Sequence, residues 1–314
     1  MGAIMKSVVS SLTANDLKER QMFVTASDAA AITGTSPWRN AADVYLEKTG
    51  QVTSADESEA MYWGHLLEEP IIRFSIRAIK KHLQDDTIRA TRRGIRRRHR
   101  NGVMSCTLDA KIKDKPWAIE AKSHAACHGN VDLSEWGNPW TDEIPPYYRD
   151  QVCAQFACCP DIHTIFVVLS VSRRSPTIYI LEREKLTARI AEVENACCDF
   201  NDHHLVPNIP PDMPPHLDTV KRDRVKRQAE MAVAVPDHLL ERSKKLASLM
   251  TRIEKQKEEI DSQIRASLIG ASSGVSPKGH LAKISTVNRK SFTVAAGSYS
   301  KLSIKLFDPS QPWG

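Results

Sequence analysis

The chain has 314 residues, of which 41% are hydrophobic and 26% charged: enough for a large domain with an appendage, and unlike a disordered chain. Its 44 Lys and Arg against 38 Asp and Glu leave a net charge of +6, which permits a nucleic-acid partner without arguing for one. No run reaches the ~18 apolar residues of a membrane span.

Residues 1–9 hold one lysine and no small-residue cleavage site, and Lys6 stands where a myristoylation motif needs Ser or Thr. The expectation is a cytoplasmic protein with no membrane partner. An odd count of seven cysteines (Cys106, Cys127, Cys153, Cys158, Cys159, Cys197, Cys198), without a CxxC, predicts reduced thiols packed as small hydrophobes and no zinc site.

In chain order, residues 1–55 read as short helices and turns, with Ser27 or Asp28 capping Ala29–Ile32 and Gly34-Thr35-Ser36-Pro37-Trp38 stopping that helix. Helical spacing of Met61, Leu67, Ile71, Phe74, Ile76 and Ile79 predicts a helix over 58–82. A β-meander follows at 87–91, 103–112 and 117–121. Next come a helix over 145–160, a buried strand over 162–171, its hairpin mate at 175–182 and a closing helix over 184–200. The fold class predicted is α/β (α+β), a central sheet flanked by helices.

Three regions are expected: a core at 1–206, a Pro-rich and basic linker at 207–236, and a long helix with a short β-like tail at 237–314. Leu239, Leu246, Ile253 and Ile260 recur every seven residues. Arg242, Gln256 and Gln263 spoil the second seam position, so the pattern predicts a docking amphipathic helix rather than an autonomous zipper.

The chemistry-bearing pattern is Leu108-Asp109-Ala110 followed by Ile119-Glu120-Ala121-Lys122. Side chains repeat every two residues along a strand, so Glu120 and Lys122 share a face, with Asp109 across the ladder. Two carboxylates suit a hard cation such as Mg²⁺, and a lysine beside them places positive charge near an attacking water or phosphorus. The same spacing also fits a surface salt-bridge ladder. Further features are Trp63-Gly64…Glu68, which offers another acid, Tyr148-Arg149-Asp150-Gln151-Val152, and Arg20 seven residues before Ser27, a natural phosphate pocket.

Taken in order, Arg20…Val24-Thr25-Ala26-Ser27-Asp28, Gly34–Trp38 with Tyr45–Gly50, Trp63-Gly64…Glu68, Leu108-Asp109, Ile119–Lys122 and Ile144-Pro145…Tyr148…Gln151-Val152 resemble the lambda-exonuclease/YqaJ-like viral recombinase family of the PD-(D/E)xK nuclease superfamily. The resemblance covers roughly residues 17–205. It implies a restriction-endonuclease-like core with a mixed sheet flanked by helices; the tail beyond 213, with the C-terminal helical extension read above, is absent from the shortest relatives. It implies Asp109, Glu120, the Ala121 carbonyl and Glu68 as metal ligands, with Glu68 preferred over adjacent Glu69. Lys122 would orient the water and Gln151 would stand near the cleft. Arg20, Ser27 and Thr107 would hold a 5′-phosphate. Two departures stand out: Leu108 replaces the proline of the superfamily's name, and Cys153 stands where some relatives carry a second glutamine.

The activity implied is a Mg²⁺-dependent exonuclease, with Mn²⁺ as a substitute, resecting double-stranded DNA ends 5′→3′ for homologous recombination in a bacterial or phage-infected cell. A single-strand annealing protein and a homo-oligomeric ring are the partners the family implies. The cysteine spacing does not match the iron–sulfur staple of some related nucleases, so no iron–sulfur cluster is expected. A restriction-like or structure-specific endonuclease and a non-catalytic DNA-binding scaffold stay open as alternatives.

Arg89, Arg92, Arg93, Arg96, Arg97, Arg98 and Arg100 crowd the approach to the Asp109 strand and are read as DNA-backbone contacts rather than a merely solvated face. The His203-His204 pair cannot present both rings to one ion from a regular helix or strand. Trp38, Trp63, Trp117, Trp136 and Trp140 are read as core or loop anchors.

Overall fold

The computed structural model describes residues 21–52, 59–124, 133–171, 175–222, 234–271, 273–275, 277–278 and 281–283. Two compact units divide the chain at Val225/Lys226. The first is built on a mixed sheet of six strands: β1 (Val24–Thr25), β2 (Ala90–Arg98), β3 (Met104–Ile112), β4 (Trp117–His124), β5 (Thr164–Val171) and β6 (Thr177–Glu182). Strands β1 and β3 run parallel, as do β4 and β5; β2–β3, β3–β4 and β5–β6 are antiparallel.

Strand β5 is apolar almost throughout because it is paired on both edges and covered on both faces, so Ile165–Leu169 are all buried. One face carries α3 (Glu59–Leu83), whose Ile71, Ile72 and Ile79 meet Ala110, Ile119, Phe166 and Val168. The other face carries α4 (Pro146–Cys158) and α5 (Thr187–Phe200). There Val152, Phe156, Ile190 and Val193 meet Leu108, Ala118, Ile165 and Val167. Proline at the first turn of α4 costs no hydrogen bond, since those N–H groups have no helical acceptor. Two smaller helices, α1 (Ala29–Ile32) and α2 (Ala41–Lys48), complete the N-terminal side. Asn40 and Asp43 cap α2 reciprocally, each side chain accepting the other's backbone N–H.

How β3 is shared sets up the site. Strand β2 pairs along one edge of β3 from Ser105 to Ile112. Its other edge must therefore serve both β1, at Met104 and Ser105, and β4, at Ala110 and Lys111. Residues 106–109 are left unladdered between them. The meander was expected to begin with a strand at 87–91. It begins instead at Ala90, so the arginine run is itself an edge strand, where charged side chains also discourage pairing with another sheet.

The Pro-rich segment expected to be a free linker from 207 is in part packed on the first unit. Tyr45 Oη donates to Asn208, Asn40 to the Pro214 carbonyl, and Arg222 to Glu47. His216 meets buried Asp43 through both its backbone N–H (2.8 Å) and ring Nδ1 (2.6 Å), and a four-residue helix α6 (Leu217–Val220) follows. The first compact unit runs to Val225, past the core end expected at 206, and the Asp43–His216 contact lies within it.

The second unit contains α7 (Asp237–Ser267), none of whose residues is buried, and a hairpin of β7 (Ser273–Val275) and β8 (Leu281–Lys283). The rest of the expected β-like tail, after Lys283, lies outside the described residues. Among the described residues, no helix is long and apolar enough to cross a membrane. Of the cysteines, Cys106, Cys153, Cys158, Cys159 and Cys197 are free and buried and Cys198 half-buried, with Cys106 Sγ 3.6 Å from Cys159 Sγ.

Candidate active site

Where the β3–β4 ladder ends, side chains replace backbone pairing. The Ala121 N–H donates to Asp109 Oδ2 at 2.7 Å. Two residues along β4 from Glu120, Lys122 Nζ reaches back to Glu120 Oε1 at 2.7 Å, the face-sharing that period two predicts. From α4, Gln151 completes a triangle: its Oε1 accepts from Lys122 at 2.9 Å and its Nε2 donates to the same Glu120 oxygen at 2.7 Å. One turn further, Gln155 Nε2 donates to Glu120 Oε2 at 2.6 Å and, more weakly, to the Thr107 carbonyl at 3.3 Å, inside the unladdered stretch of β3. Glu120 and Gln155 are buried; Asp109, Lys122 and Gln151 are half-buried. The ammonium also lies 4.7 Å from the centre of the Tyr148 ring.

The cluster holds more negative charge than Lys122 alone balances. Burial, then the charges of Glu120 and Glu68, push the Asp109 carboxyl well above the ordinary carboxylate range. Burial opposes the charge on Lys122, but Glu120 and Asp109 outweigh it and hold the ammonium above its usual pKa. Burial raises the Tyr148 hydroxyl as well. Of the two adjacent helix acids it is Glu68 whose charge bears on Asp109, whereas Glu69 is paired with Arg73 at 2.6 Å. Gly64, one turn before Glu68, faces β4, where a Cβ would meet Ser123 Oγ at an ordinary contact distance of 3.4 Å.

Among the described residues no three His, Cys, Asp or Glu side chains stand pre-assembled around a metal position. Mg²⁺ does not need three: it is usually held by one or two carboxylates and otherwise by waters and phosphate oxygens. Half-buried Asp109 and buried Glu120, which repel each other, are a donor set of that kind, and Glu68 is near enough for its charge to bear on Asp109.

The other expected residues are distributed as follows. Ser27 is exposed in the turn Ala26–Asp28, its Oγ 3.0 Å from Thr25 Oγ1, and that turn packs on β3. Thr107 is exposed on β3, in register with Arg96 of β2. Arg20 lies outside the described residues. Arg96, Arg98 and Arg100 are exposed and Arg97 half-buried, with the Arg98 guanidinium 4.7 Å over the Phe23 ring. The side chains of Arg92 and Arg93 lie outside the described residues. His203 and His204 each spend Nδ1 on a nearby backbone carbonyl. Trp136 and Trp140 are anchors, packed on Tyr148 and Tyr179 and on His82. Trp38 and Trp63 are not: they are 59% and 43% exposed.

Gln155 is the site residue that sequence reading missed. By the resemblance, the second glutamine of some relatives would stand at Cys153, which is buried in the core. The available signal was the four-residue spacing from Gln151, which places both amides on one helix face.

The model of the YqaJ-like viral recombinase domain matches residues 17–161, which include every residue of this cluster. That segment, somewhat under half of the chain, is what this protein shares with the YqaJ-like viral recombinase family. The chain is 33% identical over 138 residues to an uncharacterized protein, YqaJ, of Bacillus subtilis (strain 168). That match covers 43% of this chain and 39% of the relative, so the two share well under half of either length. Among solved structures, the chain is similar to an alkaline exonuclease (LHK-Exo) from Laribacter hongkongensis, at 21% identity, 63% of this chain, 94% of that one and a TM-score of 0.45. It is also similar to a phage-related exonuclease from Haemophilus somnus 129PT, at 14% identity, 61% and 99% coverage and a TM-score of 0.42.

Proposed function

We propose that the chain is a Mg²⁺-dependent deoxyribonuclease that digests double-stranded DNA from its ends, 5′→3′, leaving 3′ single strands for homologous recombination. The observation that carries this reading is the convergence of Asp109, Glu120, Lys122, Gln151 and Gln155 in the unladdered gap of β3. A structural salt bridge would need only the Glu120–Lys122 pair. It would not need a third carboxyl held among like charges, nor two amides that fix both oxygens of Glu120.

A Mg²⁺ held by Asp109 and Glu120, with the Ala121 carbonyl and Glu68 beside them, would supply Lewis-acid stabilisation of the charge that builds on phosphorus. The protein's own part is to orient. Gln151 and Gln155 fix the Glu120 carboxylate from both sides. Glu120 and Gln151 take two of the three N–H donors of Lys122, leaving the third for the attacking water or a phosphate oxygen. Ser27 and Thr107, both exposed, are read together with Arg20 as the residues that hold a terminal phosphate, and the 5′ polarity rests on that reading. The arginines of β2 neutralise backbone phosphates, so binding falls steeply with salt.

The decisive experiment is digestion of end-labelled linear duplex and covalently closed circular DNA with Mg²⁺, Mn²⁺ or EDTA. Metal-dependent release of nucleotides from 5′-phosphorylated linear DNA alone is the expected result. Cleavage of the closed circle would establish an endonuclease instead, and binding without release would leave a scaffold.

A further inference from the structure

Trp38 is 59% exposed on a loop that is firmly held. Thr33 Oγ1 and Thr35 Oγ1 donate to Asp150 Oδ2 of α4 at 2.6 and 2.8 Å, and Arg189 clamps the same buried carboxylate through two nitrogens. Ser36 Oγ then accepts the N–H groups of Trp38 and Arg39, closing the turn that carries the indole. Polar bonds thus anchor a large apolar ring in water, beside the helix that carries Gln151 and Gln155. An exposed indole by itself is ordinary, but one fixed this firmly and joined to the site by ring contacts offers a face to a partner.

The ring contacts say where that partner lies. Trp38 meets Tyr147 edge to face at 4.8 Å, Tyr147 meets Tyr148 at 4.5 Å, and Tyr148 lies 4.7 Å from Lys122 Nζ. Three contacts, each under 5 Å between centres, run from solvent to the cation of the site. An edge-to-face pair leaves ring face uncovered, which a flat aromatic ligand can use.

We propose that Trp38 and Tyr147 form a stacking platform for a nucleobase of the strand whose phosphate lies at Lys122. The assignment of that phosphate rests on the nuclease reading above. Every base offers a π face, so such a platform holds a strand without reading its sequence. Bases inside a duplex already have both faces stacked, so the platform takes an unpaired base and favours a frayed end over duplex interior.

The test is equilibrium binding without turnover. The full chain, in EDTA, is titrated into short 5′-phosphorylated single strands carrying 2-aminopurine at each of the first positions in turn, followed by the base's fluorescence. Parallel strands carry an abasic residue at the same position. The parent should quench one position strongly, and Trp38→Ala should weaken binding of that strand about tenfold or more while losing the quench. Trp38→Phe should keep most of both, and the abasic strand should bind the parent and Trp38→Ala alike. Equal quenching and affinity in Trp38→Ala, or the same loss on the abasic strand, overturns the platform. Digestion by Lys122→Ala tests the nuclease reading separately: undiminished digestion removes that reading, while unaltered binding by Trp38→Ala removes only the platform.

Discussion

Gln155 Nε2 lies 2.6 Å from Glu120 Oε2, so a helix amide holds the one carboxylate oxygen that Lys122 and Gln151 leave untouched. A hydrogen bond to a buried charged group contributes about 1.5–3 kcal/mol, and stripping the donor leaves the carboxylate free to turn. Gln155→Leu, which keeps the bulk, is expected to lower kcat on linear duplex about tenfold or more with little change in KM for DNA. A purely structural role would lower the melting temperature and leave kcat per folded molecule intact, so the two are measured together.

Asp109 and Lys122 should respond oppositely in stability and alike in activity. Asp109→Asn relieves the repulsion from Glu120 and Glu68 that raises the Asp109 pKa, so in EDTA it should melt at a higher temperature than the parent. Lys122→Met leaves Glu120 without its cation and should cost about 3–5 kcal/mol, as breaking a buried pair does. Both should digest linear duplex at least about 10²-fold more slowly. Digestion at the parental rate by either variant would falsify the catalytic assignment, and equal melting shifts would refute the charge argument.

Acid stability is expected to depend on Asp28. Its carboxylate lies 2.6 Å from Lys48 Nζ and 3.3 Å from Arg39, with only 6% of the side chain exposed. Burial works against the charge, but Lys48 and Arg39 outweigh it and hold the carboxyl far below the ordinary range. A depressed folded pKa contributes stability that is complete above the unfolded value of about 3.9 and is lost as pH falls below it. Asp28→Asn should therefore cost about 3–5 kcal/mol near neutral pH, and the gap to the parent should close below about pH 4. Denaturant titrations across that range check it; a constant gap refutes it.

The segment after 206 should behave as part of the first unit. Ending the chain at 206 removes His216 and leaves the buried Asp43 carboxylate without two of its donors, whereas ending it at 225 keeps them. The shorter form should melt lower, by about 1–3 kcal/mol per donor lost, and be cut sooner by protease. Equal melting of the two forms would show that the strap adds nothing.

Much of the site could be read from local spacing. Period two put Glu120 and Lys122 on one face, a ten-residue interval marked the strand–turn–strand carrying Asp109 and Glu120, and helical periodicity carried Glu68 toward them. Those patterns are local because strand and helix geometry repeats within a few residues. Three things were not local. Gln155 belongs to the site only because α4 crosses the gap in β3, and that gap exists only because β1 and β4, some ninety residues apart in the chain, share one edge. The Pro-rich segment joined the first unit because Asp43 needed partners that no spacing announces. Trp38 read as an anchor by composition, since an indole is usually buried, and turned outward because Thr33 and Thr35 pin its loop to Asp150. Sequence alone determined the family resemblance, the strands that carry Asp109, Glu120 and Lys122, and that acid–lysine set; tertiary structure decided which edges meet, and with them which side chains the acids hold.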